Sequence, residues 1–240
     1  NKLRLYPDAD LREKGAMNIH LNQGIRSKSG LNLKEAVVRQ VVANEQKPNV
    51  RFIGKGVIIP QSTQLSVPFQ AIYLRGVTVS VIKILEQNIG QFLQSNNLDE
   101  SGELMRVGRL IARKTIFLDE EGLDLSRWNT FAVDLKRLIE PEPGAIYRLE
   151  LSFDRPLSVY PSGNDTVVLS KEQILASDEI RFKEESARFD EGGYYYYRQY
   201  DWSDYNWEKR DDPCSDSYYF NKVEGKNVLA TNLGLVAMLG

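Results

Sequence analysis

The chain has 240 residues, 42% hydrophobic and 27% charged, and its 31 basic and 33 acidic side chains leave a net charge of −2. That is enough apolar material to bury a core in one large domain or two small ones, so wholesale disorder is excluded, and the near-neutral balance argues against a nucleic-acid partner, which selects a basic face. No window reaches the ~18 apolar residues of a membrane span, the single cysteine excludes an intramolecular disulfide, and an opening of Asn1-Lys2-Leu3-Arg4 without Met reads as an internal cut with no signal peptide.

Residues 1–46 carry short alternating segments broken by Gly and Asn. Ala16–Leu21 predicts a strand with Met17, Ile19 and Leu21 on one face and His20 on the other. Gln23–Gly30 is a Gly/Ser turn region, and Lys34–Val42 reads as a strand or a short helix, with the strand favoured. At roughly 5–6 residues per strand, residues 1–46 hold only part of a sandwich, and they read as the C-terminal part of an Ig-like β module.

Residues 47–158 predict a complete antiparallel β-sandwich. Val50–Ile59 reads as one strand with a bulge at Gly54-Lys55-Gly56, followed by β at Ala71–Leu74 and a β-branched strand through Val77, Val79, Val81 and Ile82. Leu85, Ile89, Phe92 and Leu93 recur at helical spacing, which predicts a short helix from Asn88 to about Ser95 crossing between strands. Further strands are expected at Leu104–Val107, Leu110–Leu118, Phe131–Leu135 and Ala145–Phe153. The last alternates, with Tyr147, Leu149 and Leu151 opposing Ile146, Arg148 and Glu150. Seven to eight short strands at regular spacing are the signature of a two-sheet sandwich of Ig-like size.

Residues 159–226 read as a long connector, with a short helix within Lys171–Glu185. From Asp178 to Asp216 it holds twelve acidic and six basic side chains. Eight of the twelve tyrosines and two of the three tryptophans lie between Tyr194 and Tyr219, a tract with no regular period. A connector this long is functional or disordered, and its aromatics argue against disorder. Residues 227–240 begin with an apolar strand that reads as the first strand of a following domain.

Reactive side chains are scarce: one His (His20) and one Cys (Cys214). A multi-histidine or Cys/His zinc site cannot be built from them, and the phosphate-cradling Gly-rich loop, Gly-x-Ser-x-Gly and His-Glu-x-x-His are absent. No catalytic, cofactor or metal residues are assigned, and the chain reads as non-enzymatic. His20 reads as a solvent-facing strand residue. Cys214, flanked by Asp212 and Asp216, reads as a structural thiol whose thiolate is disfavoured by negative neighbours.

Several segments resemble a known family. Lys47-Pro48-Asn49-Val50-Arg51-Phe52, Gly56–Pro60, Val77–Ile84, Asn88–Gln94 and Pro143–Leu149 resemble the N-terminal half of bacterial α2-macroglobulins, particularly the large Bacteroidetes versions. So does the ending Arg210-Asp211-Asp212-Pro213-Cys214, Tyr218-Tyr219 and Asn227–Leu235. The resemblance spans about Lys47 to Gly240. It implies serial macroglobulin β-sandwich domains in a very large periplasmic or cell-envelope chain, lipid-anchored in its full length. It implies a broad-spectrum endopeptidase inhibitor in which cleavage of a bait region triggers a conformational change that traps the protease. Partners would be proteases, through the whole protein, and the neighbouring macroglobulin domains. Many members carry a Cys-x-Glu-Gln thioester. Here Cys214 precedes Ser215-Asp216-Ser217, so it cannot be that group, and the piece would be scaffold.

Two other readings compete. In the first, Tyr194, Tyr195, Tyr196, Tyr197, Tyr200, Trp202, Tyr205 and Trp207 form the binding surface of a glycan- or protein-binding sandwich module from a surface adhesin or uptake system, since such rings join contact area to a polar handle. The bland counterpart, aromatics packing the connector onto the sandwich, is favoured. In the second, Asp201, Asp204, Asp211, Asp212 and Asp216 bind calcium, but their spacing misses the regular Asp-x-Asp-x-Asp-Gly loop.

Overall fold

A computed structural model of the chain describes residues 16–42, 46–54, 58–60, 65–95, 100–161, 169–191 and 205–231. It divides into residues 1–47 and 48–240.

In the first unit, β1 (Ala16–Leu21) and β2 (Val37–Val42) pair antiparallel, with Ala16 opposite Val42 and Leu21 opposite Val37. The loop between them is a small hairpin of its own. Gly24 N–H donates to the Leu33 carbonyl at 3.0 Å, and Leu33 N–H returns a bond to Ile25 at 2.9 Å. His20 is exposed, opposite Val38.

The second unit is an antiparallel β-sandwich. One sheet has the order β4 (Ile58–Pro60), β10 (Val223–Thr231), β9 (Ile146–Ser152), β6 (Gly76–Ile84), β7 (Gly108–Phe117), and the other β3 (Asn49–Phe52), β5 (Ser66–Ile72), β8 (Asn129–Asp134). Only the β10–β4 pair is parallel among the described strands. Val77, Val79, Val81, Tyr147, Leu149 and Leu151 from the larger sheet meet Val50, Val67, Phe69 and Val133 from the smaller in one core. Strands β6 and β9 are buried on both faces, which explains the β-branched run through Val77–Ile82. Between β6 and β7 the register passes from Val81–Ala112 to Ile82–Leu110 and skips Ile111, a β-bulge.

Four helices accompany the sheets among the described residues: α1 (Ile89–Ser95), α2 (Leu104–Val107), α3 (Lys171–Glu191) and α4 (Asp216–Tyr219). A second apolar cluster lies on the outer side of the large sheet, where Ile82, Ile84, Leu110 and Ile146 pack with Phe92, Leu104, Met105, Val107 and Phe189.

The crossing helix lies where periodicity places it, as a 3-10 turn at Glu86–Asn88 running into α1. Several expectations are corrected. Val50–Ile59 is not one bulged strand: β3 and β4 belong to different sheets, and Gly54, at φ 76°, lets the chain turn out of the first. Leu104–Val107 is a helical turn, because bending there buries Leu104, Met105 and Val107 together. The short helix within Lys171–Glu185 runs on to Glu191, so a long stretch of the supposed connector is a helix packed on β7. The strand expected to begin at residue 227 starts earlier, at Val223, and lies in the large sheet. It is β10, whose register runs from Val223 opposite Ser152 to Leu229 opposite Ile146. Residues 232–240 lie outside the described set.

Candidate functional site

The outer face of the large sheet carries the densest polar chemistry of the described chain. On β9, Arg148 and Glu150 are two residues apart and therefore share a face. Arg148 Nε donates to Glu150 Oε1 at 2.9 Å, and its Nη1 donates to Asn227 Oδ1 at 3.3 Å. Asn227, directly opposite Arg148 on β10, donates through Nδ2 to the Glu100 carbonyl at 2.7 Å. All three side chains are buried. Gly225, the residue opposite Glu150, makes room for them: a Cβ there would sit 2.0 Å from Arg148 Nη2.

The second group ties α3 to the edge strand β7. Asp178 is buried and its Oδ2 accepts from Thr115 N–H at 2.7 Å, covering an edge-strand donor. Its Oδ1 lies 3.6 Å from Arg113 Nε. Arg113, in register with Ser80, donates from Nη1 to both Glu185 oxygens at 3.1 Å. Further along the helix, Arg109 pairs with Asp190 at 2.9 Å and donates to the Phe189 carbonyl at 3.1 Å. Lys171 pairs with Asp119 at 2.8 Å, and Arg181 pairs with Asp154. A cavity of about 50 Å3 lies between this helix and the sheet, lined by Thr78, Thr115, Asp154, Ile174, Asp178 and Arg181. An open depression of about 220 Å3 runs beside Ile111–Lys114 and Phe182. Both fall below the ~300–1,000 Å3 of a small-molecule site. The first suits ordered water.

The aromatic segment reaches the structure at Tyr205. Tyr194, Tyr195, Tyr196, Tyr197, Tyr200 and Trp202 lie outside the described residues, so only Tyr205 and Trp207 of the proposed surface are placed. Their rings meet edge to face at 5.0 Å, and Tyr205 also packs on Phe220 at 4.7 Å. Trp207 is 64% exposed. The next aromatics turn inward. Tyr218 OH donates to the Pro48 carbonyl at 2.8 Å, and Tyr219 OH lies 2.8 Å from the Pro213 carbonyl and 3.0 Å from Ser158 Oγ. Tyr219 stacks edge-on against Phe153, and Lys222 Nζ sits 4.2 Å over the Tyr218 ring. Burial pushes both phenols above their ordinary value.

Cys214 is exposed, and its N–H donates to Asp212 Oδ1 at 2.9 Å. Its position against the chain partly desolvates the thiol, and this with the Asp212 carboxylate raises the pKa. Of the aspartates in the calcium reading, Asp201 and Asp204 lie outside the described residues. Asp216 pairs with Arg155 at 2.9 Å, and among the described residues no three of His, Cys, Asp and Glu gather to hold a metal. No described helix is long and apolar enough to cross a membrane.

Sequence reasoning missed Arg113, Arg148, Glu150, Asp178 and Glu185. Alternation places Arg148 and Glu150 opposite the core-facing residues, but nothing local reveals that this second face is also covered. Asp178 and Glu185 are seven residues apart, two helical turns, and so share a stripe. That spacing was the available signal.

No family model and no curated protein matches the chain. Among solved structures it is similar to native α2-macroglobulin from Escherichia coli spanning domains MG0-NIE-MG1, at 12% identity and TM-score 0.37, over 57% of this chain and 44% of that one. It is similar to the cryo-EM native conformation of the E. coli protein at 11% identity and TM-score 0.39, over 57% of this chain and 9% of that one. The E. coli fragment spanning NIE-MG1 shares 18% identity at TM-score 0.34, over 44% of this chain and 52% of that one. The chain thus spans at most about half of each. Likenesses at this identity and TM-score bear on neither family membership nor activity.

Proposed function

We propose that this chain is a non-catalytic scaffold segment of a bacterial α2-macroglobulin-like endopeptidase inhibitor. One observation carries the reading: the strongest polar groups of the sandwich are turned onto one another rather than outward. Arg113 meets Asp178 and Glu185, Arg148 meets Glu150 and Asn227, and the hydroxyls of Tyr218 and Tyr219 meet backbone carbonyls. Such an arrangement stiffens a strut and offers no reacting group to a substrate. The sequence resemblance of Lys47–Gly240 to macroglobulins supplies the class. In this reading the chain belongs to a periplasmic or cell-envelope protein, its neighbours are further macroglobulin-like domains, and proteases engage the whole protein through a bait elsewhere.

The test uses the full-length protein. Incubated with a broad-specificity endopeptidase, it is cut at one region and then retains the protease on gel filtration. Variants Asp178→Asn and Glu185→Gln still suffer the cut but retain less protease. Full-length protein that is cut without retaining any protease overturns the reading.

A second reading, a glycan- or protein-binding module, is favoured by one observation, the exposed Trp207 ring braced by Tyr205. Such a ring joins a large apolar contact area to a polar N–H handle.

A further inference from the structure

We propose that α3 is a charge-latched strap, which opens from the sandwich as a unit, ahead of global unfolding, and uncovers the β7 edge. Over its 21 residues only Ile174 and Phe189 are buried apolar side chains, Phe182 is half-buried against the outer cluster, and Leu175 and Ile180 face solvent. A helix docked by apolar burial shows a continuous stripe instead. Its seat is charged along its whole length: Lys171 on Asp119, Asp178 on Thr115 N–H, Glu185 on Arg113, Asp190 on Arg109, and Arg181 on Asp154.

The surface beneath is polar as well. Thr78 and Thr115 exchange a hydroxyl bond at 2.8 Å, and next along the same face come Ser80 and Arg113. Ser80 Oγ and Arg113 Nε are buried with no hydrogen-bond partner among the described residues. An apolar seat would lose free energy on wetting, whereas this one gains hydrogen bonds to water for Ser80 Oγ and for Arg113 Nε, whose Asp178 counter-charge lies at 3.6 Å, beyond hydrogen-bond reach. The main core does not depend on the helix: apart from Ile174, it is built from the two sheets and from Leu157, Leu169, Tyr218 and Tyr219 with other loop residues. Opening therefore separates from unfolding, as in other locally unfolding units. The strand it exposes is a sheet edge with a free Thr115 donor, a template for pairing with another strand.

Native-state hydrogen exchange on this chain tests the idea. In the wild-type protein the amides of α3 and of Thr115 exchange together, through an opening with a shallow denaturant slope. The amides of Val79 and Leu149 exchange only through the steep global transition. Glu185→Gln speeds the α3 and Thr115 group on the order of a hundred-fold. Val67→Ala, in the opposite sheet, speeds Val79 and Leu149 roughly ten-fold or more and leaves the α3 group unchanged. Two results overturn the proposal: α3 amides that share the slope and rate of Val79 and Leu149 in the wild-type protein, or Val67→Ala accelerating α3 as much as the core.

Discussion

Arg113 Nη1 lies 3.1 Å from each carboxylate oxygen of Glu185, and the arginine side chain is 2% exposed. A cation held that deep depends on its counter-charge, because removing one partner strands the other away from water. Glu185→Ala should cost about 3–5 kcal/mol. Replacing the whole group, Arg113→Met with Glu185→Leu and Asp178→Asn, removes the cation together with both carboxylates that face it and should cost less than that single change, since a site without charges carries no desolvation penalty. Urea unfolding of the three proteins checks the order. A combined variant weaker than Glu185→Ala would show that the charged group itself stabilises the sandwich.

Gly225 and Arg148 make a second coupled pair. A methyl group at 225 collides with the guanidinium, 2.0 Å from Nη2 and 2.5 Å from Cζ. The arginine end is flexible, but moving it breaks its bonds to Glu150 and Asn227 inside the protein. Gly225→Ala should therefore destabilise by roughly 1–3 kcal/mol, the cost of leaving buried polar groups unpaired. In an Arg148→Ala background the same change should cost much less. Thermal melts of the four proteins in the cycle give the coupling. Equal costs in both backgrounds would mean that Gly225 is needed for its backbone and not for the arginine.

The buried phenols set an alkaline limit. Burial raises Tyr218, Tyr219, Tyr73 and Tyr160 above the ordinary value of 10.0. A raised acid is protonated in the fold and ionised in the unfolded chain over the interval between the two values. The unfolded state then binds fewer protons, so stability falls as pH rises. Their contribution is fully present below about pH 10 and declines above it. The urea midpoint should hold from pH 8 to 9 and drop by pH 11, and these tyrosines should ionise, by tyrosinate absorbance, only as circular dichroism is lost. Complete tyrosinate formation in a folded protein near pH 10 would contradict the buried placement.

Cys214 is open to solvent but poorly ionised, as partial desolvation and then Asp212 hold its thiol above the ordinary 9.0. At neutral pH a disulfide reagent should label the folded protein more slowly than a free cysteine does, because only the thiolate attacks. Asp212→Asn should speed the reaction. Labelling of the wild-type protein at the free-thiol rate would contradict this.

How much was readable in advance follows the range of the forces involved. The β1 strand Ala16–Leu21, the run of β6 and the helix after Asn88 were legible because neighbouring residues determine each of them by period and branching. The split of Val50–Ile59 into strands of two sheets was not, because nothing in the run says which edge each half will join. The same holds for β10, whose partner β9 lies over seventy residues earlier. Alternation along Ala145–Phe153 places Arg148 and Glu150 opposite Tyr147, Leu149 and Leu151 but carries no sign that their face is also covered. Their burial depends on β10 and on the second layer over that face. Asp178 and Glu185 stand among the twelve acidic residues of their tract with no local sign that each answers a cation or amide on β7.

The central claim, a strut and not a receptor, is met most directly by titrating this chain with a panel of polysaccharides under calorimetry. A strut predicts no saturable binding. Saturable binding that disappears in Tyr196→Ala or Trp202→Ala would contradict it.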